Sequence, residues 1–234
     1  MIVFSVIQIL LVVICTGISA MLALLALTLS RKSSFWIAKN VWAKFVCLIV
    51  NCKVEVSGKE ILSKIDKPVI FCANHLSNFD IIAIYMTIDR PIYFIAKKEL
   101  SKIPFLGWYM KAVGMIFIDR SNREKAMISI RKASELIKKG KNIITFPEGT
   151  RAKNKSIGTF KKGSFVIAFE NKIPIVPIAI KNSDKINPDK SLKINKTIIK
   201  VSIGDIIFNY KDFEKPIDVS KYTRKKVVEL FKNI

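Results

Sequence analysis

The sequence predicts an α/β fold: a mixed, mostly parallel sheet flanked by helices and preceded by an N-terminal two-helix membrane-binding unit. Three observations lead to this prediction. The first 30 residues carry no charged side chain, the next twenty combine tryptophan, phenylalanine and lysine, and from residue 53 short apolar runs alternate with segments of helical periodicity. Strands that alternate with helices are typical of α/β folds, in which chemistry collects in loops beyond the strand ends.

The N-terminal segment is a candidate membrane helix. Residues 2–29 are almost wholly apolar, and Arg31 and Lys32 follow at once. A helix needs roughly 20 apolar residues to span a bilayer, so this run is long enough. The positive-inside rule then places the lysine-rich remainder on the cytoplasmic side of the cell membrane. A cleaved signal peptide is the competing interpretation, but no basic segment precedes the run, which continues past the cleavage-like residues 18–20. Crossing the bilayer and lying in one leaflet both stay open.

The following segment, residues 33–52, has aromatic and aliphatic side chains at roughly helical spacing with lysines between them. This pattern suits a helix at the headgroup level of a membrane, and a core helix of the soluble part is the alternative. We therefore expect residues 1–52 to form a membrane anchor and an interfacial helix, and residues 53–234 to form the catalytic domain.

The remainder divides into strands and helices by its periodicity. Seven apolar runs predict strands at Lys53–Val56, Val69–Phe71, Ile92–Ile95, Met115–Ile118, Asn142–Thr145, Ile175–Ile180 and Thr197–Ile203. Five segments predict helices at Phe79–Thr87, Phe105–Ala112, Arg123–Lys139, Ser164–Glu170 and Val219–Phe231. Gly140 ends the clearest of these helices. The polar residues 182–196 predict a surface loop.

The composition limits the classes of partner. Forty Lys and Arg against 18 Asp and Glu give a net charge of +22. Such a charge attracts an anionic membrane, an acidic carrier or nucleic acid, unless it is only a lysine-rich composition spread over solvated faces. No helix carries a dense arginine stripe and the first 30 residues are uncharged, which argues against nucleic acid. The four cysteines have no CxxC spacing, so we expect no metal site.

One loop carries the only histidine of the chain. His75 lies in a polar loop between an apolar strand and a helical segment, and Asp80 follows five positions later. A histidine can take a proton from a hydroxyl near neutral pH, and a carboxylate on its other ring nitrogen fixes the tautomer. A purely structural pair is the alternative. The sequence has no Gly-x-Ser-x-Gly elbow, and Cys72 is interpreted as core, so a catalytic pair would act on a hydroxyl that the substrate supplies.

A second cluster follows the predicted strand at residues 142–145. Gly149 allows the backbone to approach a ligand closely, and Arg151 offers a bidentate fork for phosphate, with Thr150 as a further donor. Glu148 can orient Arg151 or an acceptor. An ordinary strand-to-loop turn with a surface ion pair is the alternative.

Two further cations follow apolar runs and are candidate anion ligands. Arg120 ends the run at residues 115–118, and Lys97 follows the strand at residues 92–95, so that both can face the same cleft. The apolar residues 175–178, which include a proline, are interpreted as core unless their context says otherwise.

Four segments, in this order and spacing, resemble the four motifs of the glycerolipid acyltransferase family. The resemblance covers about residues 50–185 and is closest to the 1-acyl-sn-glycerol-3-phosphate acyltransferases of bacteria. The segments are Asn74-His75 with Asp80, Phe117-Ile118-Asp119-Arg120, Phe146-Pro147-Glu148-Gly149-Thr150-Arg151 and Ile175-Val176-Pro177-Ile178.

The resemblance implies a direct acyl transfer without metal or redox cofactor. His75 would be the general base on the 2-hydroxyl of lysophosphatidic acid, and Asp80 would hold it. Arg151, with Arg120 and Lys97, would bind the phosphate of the acceptor. The donor would be the thioester of acyl-carrier protein or coenzyme A. Another acceptor (glycerol 3-phosphate or another lysolipid) and a non-catalytic membrane-binding module remain alternatives.

Overall fold

The secondary structure follows the predicted order of elements. A computed structural model describes residues 2–119, 123–152, 156–188 and 191–234, and of residues 123–127 it describes the backbone alone. The helices are α1 Ile2–Ala26, α2 Arg31–Ile37, a π-helical stretch Ala38–Ala43, α3 Lys44–Ile49, α4 Phe79–Thr87, α5 Leu106–Val113, α6 Arg123–Lys138, α7 Gly163–Asn171 and α8 Pro216–Asn233. The strands are β1 Cys52–Ser57, β2 Ile70–Ala73, β3 Ile92–Lys97, β4 Ile116–Ile118, β5 Asn142–Thr145, β6 Ile175–Lys181 and β7 Thr197–Ile203. Short 3-10 helices occur at Lys59–Lys64, Lys98–Lys102 and Ser183–Lys185.

The strands form one mixed sheet in the order β1-β7-β6-β2-β5-β3-β4. Five neighbouring strands, from β6 to β4, run parallel, and the β6–β7 pair is antiparallel. β1 pairs parallel with β7. The prediction of a mixed, mostly parallel sheet is therefore confirmed. The carboxyl ends of the five parallel strands meet at one edge, where a ligand site is expected in this type of fold.

Residues 2–49 form two antiparallel helical rods. α2, the π-helical stretch and α3 make the second rod, which runs back along α1. The Gln8 amide donates to the Ile49 carbonyl (2.6 Å), the Trp42 indole donates to Thr16 (3.0 Å), and the Ser34 hydroxyl donates to the Ala23 carbonyl (2.8 Å). These contacts join the two rods along their whole length.

The second rod has features of both interpretations of its sequence, the interfacial helix and the core helix. One face joins the core, where Phe35, Ala43 and Val46 are buried. The other face exposes Trp36 and Leu48, which is 73% exposed. The rod is therefore a core helix that also presents an apolar surface to its surroundings. Residues from both sides of position 52 share one hydrophobic core, and the functional division at that position stays a prediction.

Helix α1 has an unusual distribution of polarity. Its polar residues Ser5, Gln8 and Ser19 are buried against the protein, whereas Val3 and Val13 are exposed. By length and composition it is the one helix among the described residues that can cross a membrane, and only 17% of its most apolar stretch is buried. A helix that exposes its apolar side chains and buries its polar ones suits a lipid environment.

The prediction for residues 182–196 is wrong at the start of that segment. Ser183 and Ile186 are fully buried, and a 3-10 helix at Ser183–Lys185 follows β6 directly. The chain is therefore drawn into the interior before it returns to the surface. The reason is a contact with the histidine loop, described below.

Candidate active site

The histidine loop connects β2 to α4 at the carboxyl edge of the sheet. We call residues 74–80 the catalytic loop. At its start, Asn74 is fully buried and its side-chain amide pairs with the backbone of Ile180 in both directions, at 2.8 Å each. This pairing extends the contact between β2 and β6 by a side chain and fixes the start of the loop on β6.

The predicted histidine–aspartate pair is formed. His75 Nδ1 lies 2.7 Å from Asp80 Oδ2, and Asp80 is fully buried in the first turn of α4. The same oxygen accepts hydrogen bonds from the backbone N–H groups of Leu76 (2.7 Å) and Ser77 (2.9 Å). The loop therefore folds around the carboxylate, and the five-residue spacing is what returns Asp80 to the ring.

The hydrogen bonds of Asp80 define the tautomer of His75. Two backbone N–H groups can only donate, so Oδ2 acts as an acceptor, and Nδ1 must then carry the proton that lies between ring and carboxylate. In the neutral imidazole, the other ring nitrogen, Nε2, then has the lone pair, which is the form that a general base requires. The side chain of His75 is 17% exposed, so the ring is accessible through a small opening.

Phe146 fixes the plane of the histidine ring. The two rings stack with centroids 4.3 Å apart and planes 21° apart. Phe146 follows β5, the strand that pairs with β2 in the sheet. The ring is thus held by Asp80 at one nitrogen and by an aromatic face on one side.

Glu148 contacts the backbone of the catalytic loop. Its Oε1 accepts from the N–H of His75 and its Oε2 from the N–H of Gly158, both at 2.8 Å. The N–H of Ala152 donates to the carbonyl of His75 at 2.8 Å. Burial raises the pKa of the Glu148 carboxyl, and the two N–H groups oppose part of that rise. Residues 148–152 therefore hold both backbone groups of His75.

Gly149 permits a close approach of a lysine. Its φ of +75° lies in the left-handed region, and a Cβ at this position would lie 2.9 Å from Nζ of Lys161. The sequence pattern assigns the glycine to ligand approach and gives no role to Lys161. The structure adds a cation to this turn.

Two of the predicted anion ligands, Lys97 and Arg151, lie at the same edge of the sheet and are exposed. We call Lys97, Lys98 and Arg151 the cationic rim. Lys97 Nζ lies 3.4 Å from Glu99 and Lys98 Nζ lies 3.3 Å from Asp119, and more than half of each lysine side chain is exposed. Thr150 and Arg151 are exposed beside Glu148, and Arg120 lies outside the described residues.

The order of the strands in the sheet sets the distance between Lys97 and His75. β3 and β2 are separated by β5 alone, so Lys97 ends a strand about 10 Å from the one that precedes His75, at about 4.8 Å per strand.

Nucleophilic side chains near the histidine are buried or hydrogen-bonded to other groups. Cys72 is fully buried, and burial raises the pKa of its thiol. The Ser77 hydroxyl accepts from the N–H of Phe79 at the start of α4. Ser183, which sequence reasoning placed in a surface loop, donates to Asp80 Oδ1. In the sequence, the only sign of a role for Ser183 is its position two residues after the end of β6, a strand of the parallel group.

Fold and site together define a class: an α/β protein with a partly exposed histidine bonded to a buried aspartate at the carboxyl edge of a mostly parallel sheet. Residues 53–181 match the family described as Acyltransferase. This match covers more than half of the chain, and the chain belongs to the acyltransferase family.

Individual relatives agree with this assignment. A 1-acyl-sn-glycerol-3-phosphate acyltransferase of Saccharomyces cerevisiae is 33% identical over 93% of this chain and 70% of its own length. The Escherichia coli protein of the same name is 34% identical over 69% of this chain and 61% of its own. The crystal structure of the 1-acyl-sn-glycerophosphate acyltransferase PlsC from Thermotoga maritima superposes with a TM-score of 0.84 at 25% identity, over 99% of this chain and 94% of that one.

Proposed function

We propose that this protein transfers an acyl group from a thioester to the 2-hydroxyl of lysophosphatidic acid and so makes phosphatidic acid for phospholipid synthesis. The observation that carries the proposal is the His75–Asp80 pair, 2.7 Å apart, at a sheet edge that also presents the cationic rim. The names of the Saccharomyces and Escherichia relatives support the same reaction.

The chemical step uses a single residue as base and then as acid. His75 Nε2 takes the proton of the acceptor's 2-hydroxyl while the hydroxyl oxygen attacks the carbonyl carbon of the thioester. Asp80 stabilises the imidazolium that forms. When the tetrahedral intermediate collapses, the C–S bond breaks and the proton returns to the leaving thiol. The acyl group passes from sulfur to oxygen without an acyl-enzyme, which agrees with the complete burial of Cys72 and with the hydrogen bond that Ser77 accepts.

The cationic rim supports a phosphorylated acceptor. Arg151, Lys97 and Arg120 bind the phosphate, with Thr150 as a further donor and the Gly149 turn allowing close approach. Glu148 orients the acceptor site indirectly, because its carboxylate oxygens hold the N–H groups of His75 and Gly158. The acyl donor is the thioester of acyl-carrier protein or of coenzyme A.

Helix α1 and the second rod form the membrane anchor of residues 1–52, with the catalytic domain on the cytoplasmic side. Both ends of α1 contact the rest of the protein: Ser5 accepts from the N–H of Ile194 (3.0 Å), and Ala23 accepts from Ser34. A 25-residue helix is about 37 Å long. Since it lies along the protein at both ends, it enters one leaflet instead of crossing the bilayer. An epitope tag at the N-terminus then stays accessible in sealed vesicles that carry the domain outside, and a protected tag would contradict this topology.

An acyl-transfer assay tests the function. The purified full chain in mixed micelles receives lysophosphatidic acid, glycerol 3-phosphate or a neutral lysolipid, each with acyl-carrier-protein and coenzyme A thioesters of one acyl chain. We expect phosphatidic acid from the first acceptor, detected by mass spectrometry. Preferred turnover of another acceptor would replace the proposed substrate. A folded protein inactive with every pair would favour the non-catalytic membrane module.

A further inference from the structure

The end of β6 contacts both ends of the catalytic loop. Ile180, in the strand, pairs with the Asn74 side chain before His75. Ser183, three residues later, donates its hydroxyl hydrogen to Oδ1 of Asp80, the last residue of the loop. Both residues lie outside the histidine motif in sequence: Ile180 is at the end of the family match at residues 53–181, and Ser183 lies just beyond it.

The backbone at Asn182 directs Ser183 inward. Asn182 has a φ of +71°, a left-handed conformation that asparagine tolerates better than most residues. Its amide donates to the Ile198 carbonyl (3.3 Å), and its carbonyl accepts from the N–H of Lys185 (3.0 Å). This turn ends β6 and begins the 3-10 helix, so that the Ser183 side chain is fully buried beside Asp80.

The two oxygens of Asp80 have different partners. Oδ2 accepts hydrogen bonds from Nδ1 of His75 and from the N–H groups of Leu76 and Ser77. Oδ1 accepts a hydrogen bond from the hydroxyl of Ser183. An aspartate side chain rotates easily about its last torsion, so hydrogen bonds to both oxygens are needed to hold the carboxylate plane in one orientation. Ser183 supplies the bond on the side away from the histidine.

We propose that Ser183 is a positioning residue of the acyl transfer: it holds Oδ1 of Asp80 so that Oδ2 stays aligned with the Nδ1–H of His75. The inference rests on the proposed function only for its effect on turnover. Without the hydroxyl, a buried carboxylate oxygen loses its donor and the carboxylate rotates towards another one. His75 then loses both its orientation and part of the stabilisation of its charged form.

The sole histidine of the chain makes a direct test feasible. Protein labelled with ¹⁵N-histidine gives one imidazole, whose Nδ1–H proton resonates far downfield when it is bound to a carboxylate. In Ser183→Ala we expect this resonance to move upfield or broaden by exchange with solvent. The matched control is Ser34→Ala, because Ser34 is another fully buried serine, donates to the Ala23 carbonyl, and lies in the second rod. It should leave the resonance in place.

Kinetics of the same variants separate positioning from general stability. Loss of a hydrogen bond to a charged group corresponds to about a ten- to hundredfold change, which we expect as a fall in kcat for Ser183→Ala with KM for both substrates within about twofold. Introduced into an Asp80→Ala background, the same substitution should change the residual rate less than about twofold, because the carboxylate it acts through is gone. Where Ser183→Ala does not fold, Ser183→Cys fills the same volume with a weak donor and should give the same results.

The outcomes distinguish the inference from the function. An unmoved resonance together with an unchanged kcat in a folded variant would overturn the role of Ser183. Equal rate losses in the wild-type and Asp80→Ala backgrounds would overturn it as well, since they would assign the effect to stability. A shifted resonance in a protein that transfers no acyl group to any acceptor would support the contact and remove the proposed function.

Discussion

The catalytic loop and the cationic rim lie at the same sheet edge and are built in opposite ways. In the loop, Asp80 is fully buried and both of its oxygens accept hydrogen bonds, and both backbone groups of His75 are bonded to residues 148–152. In the rim, the side chains of Lys97 and Lys98 are more than half exposed, and Arg151 is exposed.

Under the proposed function, this difference corresponds to separate tasks for the two regions. A proton transfer requires donors and acceptors that are already in place when charge develops, because reorganisation at that moment raises the barrier. A phosphate is bound by long cations that can adjust their position, and the entropy of ordering them is lost when the acceptor binds. Substitutions in the loop should therefore lower kcat, and substitutions in the rim should raise KM.

The largest effect is expected for His75→Ala. Removing the base should lower kcat by about 10³-fold, within the range that general-base catalysis contributes. The unfolding midpoint should change little, since the ring is partly exposed and its main partner, Asp80, keeps three other donors. Single-turnover measurement of phosphatidic acid gives the rate. A residual turnover above about one tenth would remove His75 from the role of base.

The next effect is expected for Glu148→Gln, which keeps the shape of the side chain. The new amide N–H group meets the N–H of either His75 or Gly158, so one backbone donor is left unpaired in a buried site. We expect kcat to fall about tenfold and the free energy of unfolding to drop by about 1–3 kcal/mol. The control is Glu170→Gln on the exposed side of α7, which should change neither. Equal kinetics for both variants would exclude the role of Glu148 in holding the loop.

The raised pKa of Glu148 adds a pH dependence to this comparison. A carboxyl whose folded-state pKa lies above its ordinary value of 4.5 binds protons more readily in the folded state. Its contribution to stability is then fully present below the ordinary value and is lost as pH rises through the raised pKa. The difference in unfolding free energy between wild type and Glu148→Gln should therefore increase as pH falls from neutrality towards 4.5. A constant difference would contradict the raised pKa.

The sequence predicted the catalytic loop better than it predicted the contacts that hold the loop in place. Alternation of apolar runs gave the strands and helices, and the histidine spacing gave the pair with Asp80, because these signals are local. The contacts of Glu148 with His75 and of Ser183 with Asp80 join residues 73 and 103 positions apart. They depend on which strands are neighbours, and periodicity does not contain that information. Residues 182–196 were assigned to the surface by their polarity, yet Ser183 is buried because the aspartate pairs with its hydroxyl.

The substitution Arg151→Ala in the cationic rim should raise KM for the acceptor and leave kcat unchanged. Loss of a bidentate contact to phosphate should raise KM for the phosphorylated acceptor about tenfold, with little change for the acyl donor. Arg131→Ala, at an exposed position of α6, is the matched control and should bind the acceptor as the wild type does. A fall in kcat at unchanged KM would place Arg151 with the catalytic loop and break the division between the two regions.

The smallest effect is expected for Asp89→Asn, because Asp89 is an exposed charge that belongs neither to the catalytic loop nor to the cationic rim. Asp89 pairs with Lys39 of the second rod and with Lys59, and the hydrogen bond from Lys39 lowers the pKa of its carboxyl below 3.8. The stabilisation is therefore present above that value and is lost as pH falls through the lowered pKa. Because the side chain is 56% exposed, solvent screening limits the loss at neutral pH to about 1 kcal/mol or less, measured by denaturant unfolding. A loss as large as that of Glu148→Gln would show that surface ion pairs, and not buried acceptors alone, hold this fold.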